Sequence, residues 1–307
     1  MSGAHKSRQD RTLRVKAPAK INLWLEVLGR RPDGYHEIRT VMQTVSLYDD
    51  LSFRLRGDGE VVFRAKGEAL PAPAENLVVR AARLLQGRLG CAQGVEAQLY
   101  KRIPVARGFG GGSSDCAATL KALNRLWGLG LGLPDLSGLA AELGSDVPFF
   151  LWGGTALCEG RGERVTPLAV KGTFHYMLVI PAHGLSTRRV YERVDDALTR
   201  GGEESSIEVV LHALARGKTC ELAAVLHNAL QRPAFHASPD TFRIAGMLEL
   251  VLPAAGCRGY CLSGSGSGFF GIFDTGEQAR KASVELKQQA GLIGVAVESV
   301  PAMALKH

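Results

Sequence analysis

Residues 104–115 read Pro104-Val105-Ala106-Arg107-Gly108-Phe109-Gly110-Gly111-Gly112-Ser113-Ser114-Asp115. Glycine reaches φ > 0 at little cost and lets another group approach the backbone closely. Downstream, Ala117, Leu120, Leu123 and Leu126–Trp127 fall at helical spacing. The stretch therefore predicts a glycine turn feeding a helix, with Ser113 or Ser114 as its cap and Gly128 as its end. A helix start leaves about four N–H groups without partners and carries partial positive charge. Together these suit an anion, most often a phosphate. The same residues also suit a plain glycine turn ahead of an ordinary helix. A Walker loop would need Lys after the last glycine, and Ser113 stands there. A dinucleotide fingerprint would follow a hydrophobic strand directly, and Lys101-Arg102-Ile103-Pro104 does not end one in that way.

Upstream, Val95-Ala97-Leu99 reads as the strand feeding this loop, and Asn76 caps a helix running from Leu77 to Gly90. Leu51-Phe53-Leu55 and Val61-Phe63-Ala65 alternate around Gly57-Asp58-Gly59, which predicts a hairpin. Ile21, Leu23, Leu25 and Val27 alternate with polar or larger neighbours as a strand with one buried face. Downstream of the loop a short helix is expected over 136–143 and a strand over 176–180. Helices follow near 188–199, 206–216, 219–230 and 240–250. The chain then reads as strands at 259–262 and 268–273, a helix over 277–290 and a last strand over 294–300. Strand pairs mixed with helices make the class α+β.

The 307 residues are 46% hydrophobic and 22% charged, the proportions of a globular protein of one large domain or two. No apolar run reaches the ~18 residues of a membrane span, and Met1–Arg11 lacks the apolar core of a secretory signal. A cytoplasmic protein with reduced thiols is expected. Cys257 and Cys261 have no second pair and no nearby His, which argues against zinc. The net charge of +7 comes from scattered Lys and Arg, weak support for a nucleic-acid partner and compatible with a polyphosphate ligand.

Four further segments carry residues that a core does not need: Pro18-Ala19-Lys20-Ile21-Asn22, Asp33-Gly34-Tyr35-His36, Gly144-Ser145-Asp146-Val147-Pro148, and Leu262-Ser263-Gly264-Ser265-Gly266-Ser267. Taken with the glycine loop, they resemble the GHMP kinase superfamily and, within it, the 4-diphosphocytidyl-2-C-methyl-D-erythritol kinases. The two glycine- and serine-rich loops mark the superfamily. The P-A-K-I-N-L and D-G-Y-H segments narrow it to the diphosphocytidyl family, and the resemblance covers most of the chain.

The resemblance implies a two-domain GHMP kinase fold with its ligands in the cleft between domains. Residues 11–166 would form an N-terminal domain like the second domain of ribosomal protein S5. Residues 167–307 would form a ferredoxin-like C-terminal domain, its last strand able to return to the first. ATP would lie on Pro104, Val105, Ala106, Arg107, Gly108, Phe109, Gly110, Gly111, Gly112, Ser113 and Ser114. Its γ-phosphoryl would pass to the 2-hydroxyl of the methylerythritol moiety, in the non-mevalonate route to isoprenoid precursors. Asp146 would take the hydroxyl proton, with Lys20 beside it to hold it ionised and to offset charge building on the transferred group. Tyr35 would stack on the cytosine, His36 bond its polar edge, Tyr191 add a second aromatic, and Asn22 reach hydroxyls or phosphates. Mg²⁺ is expected with ATP. Ser114 or Asp115 could touch it, though the sequence shows no metal-ligand cluster.

Arg107 and Phe109 stand where the family often has Ala and Leu; Arg107 suits a phosphate or open water. Partners are the small-molecule substrate and ATP, with no nucleic acid and no membrane, in a monomer or a homodimer. The rival readings are a GHMP-type kinase for mevalonate, homoserine or a sugar, a non-catalytic nucleotide sensor on the same fold, and a nucleic-acid-binding module. The D-G-Y-H turn argues against the first, the presence of both Lys20 and Asp146 against the second. Serines without a His–Asp pair make a hydrolase a poor reading.

Overall fold

The computed structural model describes residues 12–68, 72, 75–194 and 207–302. The chain runs β1 (Thr12–Arg30), β2 (His36–Arg56), β3 (Val61–Gly67), α1 (Leu77–Leu89), β4 (Gly94–Lys101), α2 (Gly111–Trp127), α3 (Leu133–Leu143) and α4 (Val147–Trp152). Then come β5 (Thr155–Gly160), β6 (Arg164–Pro167), β7 (His175–Ile180), α5 (Thr187–Tyr191), α6 (Ile207–Arg216), α7 (Thr219–Ala224) and β8 (His227–Asn228). It ends with α8 (Gln231–Ala237), α9 (Pro239–Val251), β9 (Gly259–Leu262), β10 (Phe269–Phe273), α10 (Gly276–Ala290) and β11 (Ile293–Glu298). The class is α+β. Among the described residues the chain gathers into two compact units. The first draws on Leu47–Val105, Gly111–Leu151 and the chain up to Ala19; the second draws on Lys20–Ser46, Ala106–Gly110 and the chain from Trp152 onward. No described helix is long and apolar enough to cross a membrane.

In the first unit the expected hairpin does not form. The turn is there: Arg56 pairs with Asp58, and Asp58 Oδ1 accepts from Glu60 N at 3.1 Å. Its two arms, however, both pair with β4. Leu51 and Phe53 of β2 lie antiparallel against Leu99 and Ala97, and Val61 and Phe63 of β3 lie parallel against Val95 and Ala97. Alternation fixes which face of a strand is buried but not which strand lies beside it. The parallel β3–β4 pair is reached through α1, the long crossover such a pair requires. Asn76 caps α1 as expected, accepting from Val78 N, and Gly90 ends it at φ 60°. Helix α2 buries Ala117, Leu120, Leu123 and Trp127 and packs on α1 and α3. Gly128 follows it at φ 66°, the left-handed stop expected of it.

In the second unit β2 pairs with β5 through Ile38–Gln43, β5 pairs with β6, and β8 lies parallel to β1 at Trp24 and Leu25. A four-stranded antiparallel sheet takes the order β11-β7-β10-β9. Met177, Val179, Phe269 and Phe273 of this sheet share a core with Ile244, Leu248 and Leu252 around α9 and with Ala282 and Leu286 of α10. Thr275 and Gln278 close a capping box on α10. The helix expected over 219–230 is interrupted: α7 stops at Ala224 and His227–Asn228 turn into a strand. Pairing with β1 outweighs local helix propensity there. Of the helix expected over 188–199, α5 occupies the start and the chain leaves it at Glu192; 195–199 lie outside the described residues.

Candidate active site

The second unit gathers most of the candidate side chains. Lys20, Asn22 and Thr40 lie buried in adjacent stretches of β1 and β2. Lys20 Nζ donates to Asn22 Oδ1 at 2.6 Å, Asn22 Nδ2 donates to Thr40 Oγ1 at 2.8 Å, and Thr40 Oγ1 donates to the Trp24 carbonyl at 2.5 Å. Lys20 and Asn22 are two apart on a strand, so both face one side. A lysine only 3% exposed is rare unless it is paired. The Asn22 carboxamide is thus engaged at both ends within the protein. Thr40 was invisible in the sequence, being one more polar residue in an alternating strand.

Residues 106–110 of the glycine loop belong to the same unit. Lys20 N donates to the Phe109 carbonyl at 3.0 Å, Ser263 Oγ to the Gly108 carbonyl at 3.0 Å, and Gly268 N to the Arg107 carbonyl at 3.1 Å. Loop 106–110 is therefore stitched on one edge to β1 and on the other to the serine–glycine loop. Gly108, at φ 79°, comes so near Ser263 that a Cβ would stand 1.9 Å from its carbonyl oxygen. The Arg107 guanidinium donates to the carbonyls of Pro181 and Ala182 at 2.9 and 2.7 Å, an anchoring role not foreseen from the sequence. Phe109 is fully buried. Within the second loop Ser263, Ser265 and Ser267 are all buried; Ser265 Oγ lies 2.8 Å from Thr187 Oγ1.

At the D-G-Y-H turn, Asp33 Oδ1 accepts from Tyr35 N at 3.1 Å. Tyr35 is 54% exposed, and the Arg161 guanidinium sits 4.8 Å from its ring centroid. His36 and Tyr191 are brought together, their rings 5.0 Å apart and tilted 30°. Tyr191 also packs against the unit's core.

The first unit carries the start of α2. The helix begins at Gly111, so Ser113 and Ser114 lie inside its first turn and do not cap it. Gly110 at φ 70° makes the bend immediately ahead, which moves the start upstream of the serines. The N–H groups of Gly111, Gly112 and Ser113 accordingly belong to the turn that lacks intrahelical acceptors. Ser114 Oγ and Asp115 Oδ1 are buried there without a hydrogen-bond partner. The other Asp115 oxygen accepts from Lys101 Nζ at 2.7 Å, and the same Lys101 nitrogen bonds Asp49 Oδ2 at 2.5 Å. Asp49 Oδ1 in turn accepts from Arg102 N and Ile103 N at 2.6 and 2.9 Å. Burial pushes the Asp115 carboxyl up to about 7, against the pull of Lys101. Nothing in the sequence pattern singles out Lys101 or Asp49; their burial against one another, from β4 and β2, is a tertiary property. Pro104 is buried and Val105 half-buried ahead of this turn; Asp146 lies half-buried in the turn before α4. Among the described residues no group of three or more His, Cys, Asp or Glu is placed to hold a metal ion.

The chain that stitches its glycine loop to a buried Lys–Asn pair in this way has the GHMP kinase fold. The GHMP kinases N terminal domain matches residues 76–154. Solved structures of the fold include a homoserine kinase from Cytophaga hutchinsonii, 20% identical with a TM-score of 0.74 over 98% of each chain. At greater similarity, the chain is 42% identical over 272 residues to a 4-diphosphocytidyl-2-C-methyl-D-erythritol kinase from Pelotomaculum thermopropionicum, covering 89% of this chain and 93% of that relative. A relative of the same name from Symbiobacterium thermophilum is 43% identical over 85% of this chain and 90% of its own length. The crystal structure of a 4-(cytidine 5'-diphospho)-2C-methyl-D-erythritol kinase superposes with a TM-score of 0.77 at 37% identity, over 94% of this chain and 99% of that one. The chain belongs to the 4-diphosphocytidyl-2-C-methyl-D-erythritol kinase family.

Proposed function

We propose that this protein transfers the γ-phosphoryl group of ATP to the 2-hydroxyl of 4-diphosphocytidyl-2-C-methyl-D-erythritol, in the non-mevalonate route to isoprenoid precursors. The observation that carries this reading is the buried Lys20–Asn22–Thr40 chain, seated against loop 106–110, in a member of that family. Such transfer needs little covalent chemistry from the protein and depends on positioning and charge stabilisation. Asp146 is the base that takes the hydroxyl proton, a contribution of about 10²–10⁴-fold. Lys20 supplies fixed positive charge where charge builds during transfer, and Asn22 and Thr40 hold its ammonium in place. Tyr35 offers an exposed face to the cytosine, worth about 1–3 kcal/mol, His36 bonds the base's polar edge, and Tyr191 adds a second aromatic beside His36.

The donor end is residues 104–114. ATP brings the phosphoryl group, and the residues present fit it. The open amides of the first turn of α2 suit phosphate oxygens, and the buried Ser114 hydroxyl has no other partner. Mg²⁺ would accompany the phosphates, and Ser114 Oγ and Asp115 Oδ1 are the oxygens whose chemistry suits it.

An ATP-consumption assay over a panel of alcohols tests the reading. Turnover should appear with the cytidine diphosphate ester of methylerythritol and be lost with methylerythritol phosphate, mevalonate or homoserine. Preference for an acceptor without a nucleobase would overturn it.

A further inference from the structure

We propose that Asn228 is a positioning residue of the phosphoryl-transfer site, clamping the serine–glycine loop at the place where Gly264 seats Lys20 and Asn22. Asn228 is only 7% exposed. Its side-chain nitrogen donates to two carbonyls of the same loop, Leu262 at 2.8 Å and Gly264 at 2.8 Å. Its side-chain oxygen accepts from Leu230 N at 2.9 Å. Both amide hydrogens and one acceptor site are thus used. The orientation of the amide follows from its partners, since carbonyls only accept and a backbone N–H only donates.

The local chain is shaped to bring Asn228 there. The helix that the sequence predicts over 219–230 breaks after Ala224, and Leu25 and Asn228 lie opposite each other in the parallel β1–β8 pair. Ala229 N donates to the Leu25 carbonyl at 2.9 Å. Asn228 is therefore fixed to the same strand that carries Lys20 and Asn22. The loop it holds reaches back to those residues. At Gly264, φ 56°, a Cβ would meet Lys20 Nζ at 3.3 Å, the Gly108 carbonyl at 3.4 Å and Asn22 Oδ1 at 3.5 Å. The carboxamide thus helps to hold the loop backbone beside the Lys20 ammonium. Two carbonyls left without donors would repel each other and let the loop drift.

This inference rests on the kinase reading, and its test separates the two. Asn228→Ala removes the clamp; Asn228→Asp keeps the shape and the Leu230 acceptor but turns both donors into acceptors. With the cytidine substrate, kcat should fall by about 10²-fold in each, the scale of a 1 Å misplacement, while the KM for ATP stays within about three-fold. A merely structural role would lower the melting temperature and leave kcat per folded molecule unchanged. Unchanged kcat in folded variants overturns the proposal. Hydrogen exchange of the loop amides of the unliganded variants gives a readout independent of turnover. Faster exchange at 263–267 supports the clamp even if the wild-type chain proves inactive on the cytidine substrate, and unaltered exchange overturns it. Should both variants fail to fold, Gly264→Ala presses on Lys20 and Asn22 directly, and an unaltered kcat there overturns the coupling.

Discussion

Gly108 and Ser263 are 155 positions apart in the chain, yet Ser263 Oγ donates to the Gly108 carbonyl at 3.0 Å and a Cβ on Gly108 would stand 1.9 Å from the Ser263 carbonyl oxygen. Gly108, Gly264 and Gly268 each come close to the backbone of the other loop. Glycine here serves contact within the protein as well as any approach of a phosphate.

Replacing Gly108 should accordingly be severe. Gly108→Ala adds a methyl group against backbone that cannot yield and places it at φ 79°. Overpacking of this kind costs about 1–3 kcal/mol, and the displaced loop would carry Lys20 and Ser263 with it. Denaturant unfolding should show the lost stability, and kcat/KM should drop at least as steeply as a 1 Å shift implies, about 10²-fold.

The Asp115 carboxyl titrates in an unusual range. Its folded value lies near 7, above the ordinary 3.8, chiefly through burial. The folded state therefore binds the proton more tightly than the unfolded one. The stability this contributes is complete below about 3.8 and is lost as pH rises towards about 7. Asp115→Asn removes the penalty at high pH, so its melting temperature relative to the wild type should climb between pH 5 and pH 8. A constant difference across that interval would contradict the assignment.

Lys101 is the cation shared by two buried carboxylates, its side chain 1% exposed beside 0% for Asp49 and 4% for Asp115. Lys101→Met takes the shared cation away from Asp49 and Asp115, a loss of about 3–5 kcal/mol when a buried ion pair is broken. Pairing Lys101→Met with Asp115→Asn should recover part of that loss. Differential scanning calorimetry of the three variants measures the coupling.

Asp146→Asn should abolish turnover while ATP still binds, because the amide cannot take the hydroxyl proton. Isothermal titration with ATP and a single-turnover assay check the two halves separately. Near-normal transfer by the pure variant would remove Asp146 as base.

Tyr35→Ala should raise the KM for the cytidine substrate by about 5- to 150-fold, the equivalent of about 1–3 kcal/mol of stacking, and leave the KM for ATP nearly unchanged. Arg161, now over the Tyr35 ring, would lose its platform without touching the donor end. Equal losses for both substrates would contradict the stacking role.

Much of this was legible in the sequence. Asn76, Gly90 and Gly128 marked helix ends by their own backbone preferences, and each stands where it was expected. Lys20 and Asn22 stand out in the sequence as residues a core does not need, and in the structure they are hydrogen-bonded to one another. The pairing of 51–55 and 61–65 with β4 is not legible, because alternation of apolar residues is the same whichever strand lies alongside. The start of α2 differs from the serine cap that the sequence predicts: serines are good caps in general, but Gly110 bends the chain before them.

The sequence by itself determined the two glycine loops, the helix that follows the first, the alternating strands and the family of kinases to which the chain belongs. These are local signals, written in backbone freedom, side-chain period and short motifs. Only the tertiary structure decided that β4 lies between β2 and β3, that 227–228 leave a helix to pair with β1, and that Asn228, Thr40, Lys101 and Asp49 are held in buried polar networks. A buried polar group must find partners wherever the fold supplies them, and those partners stand as far away in sequence as Asn228 from the Gly264 carbonyl or Lys101 from Asp49.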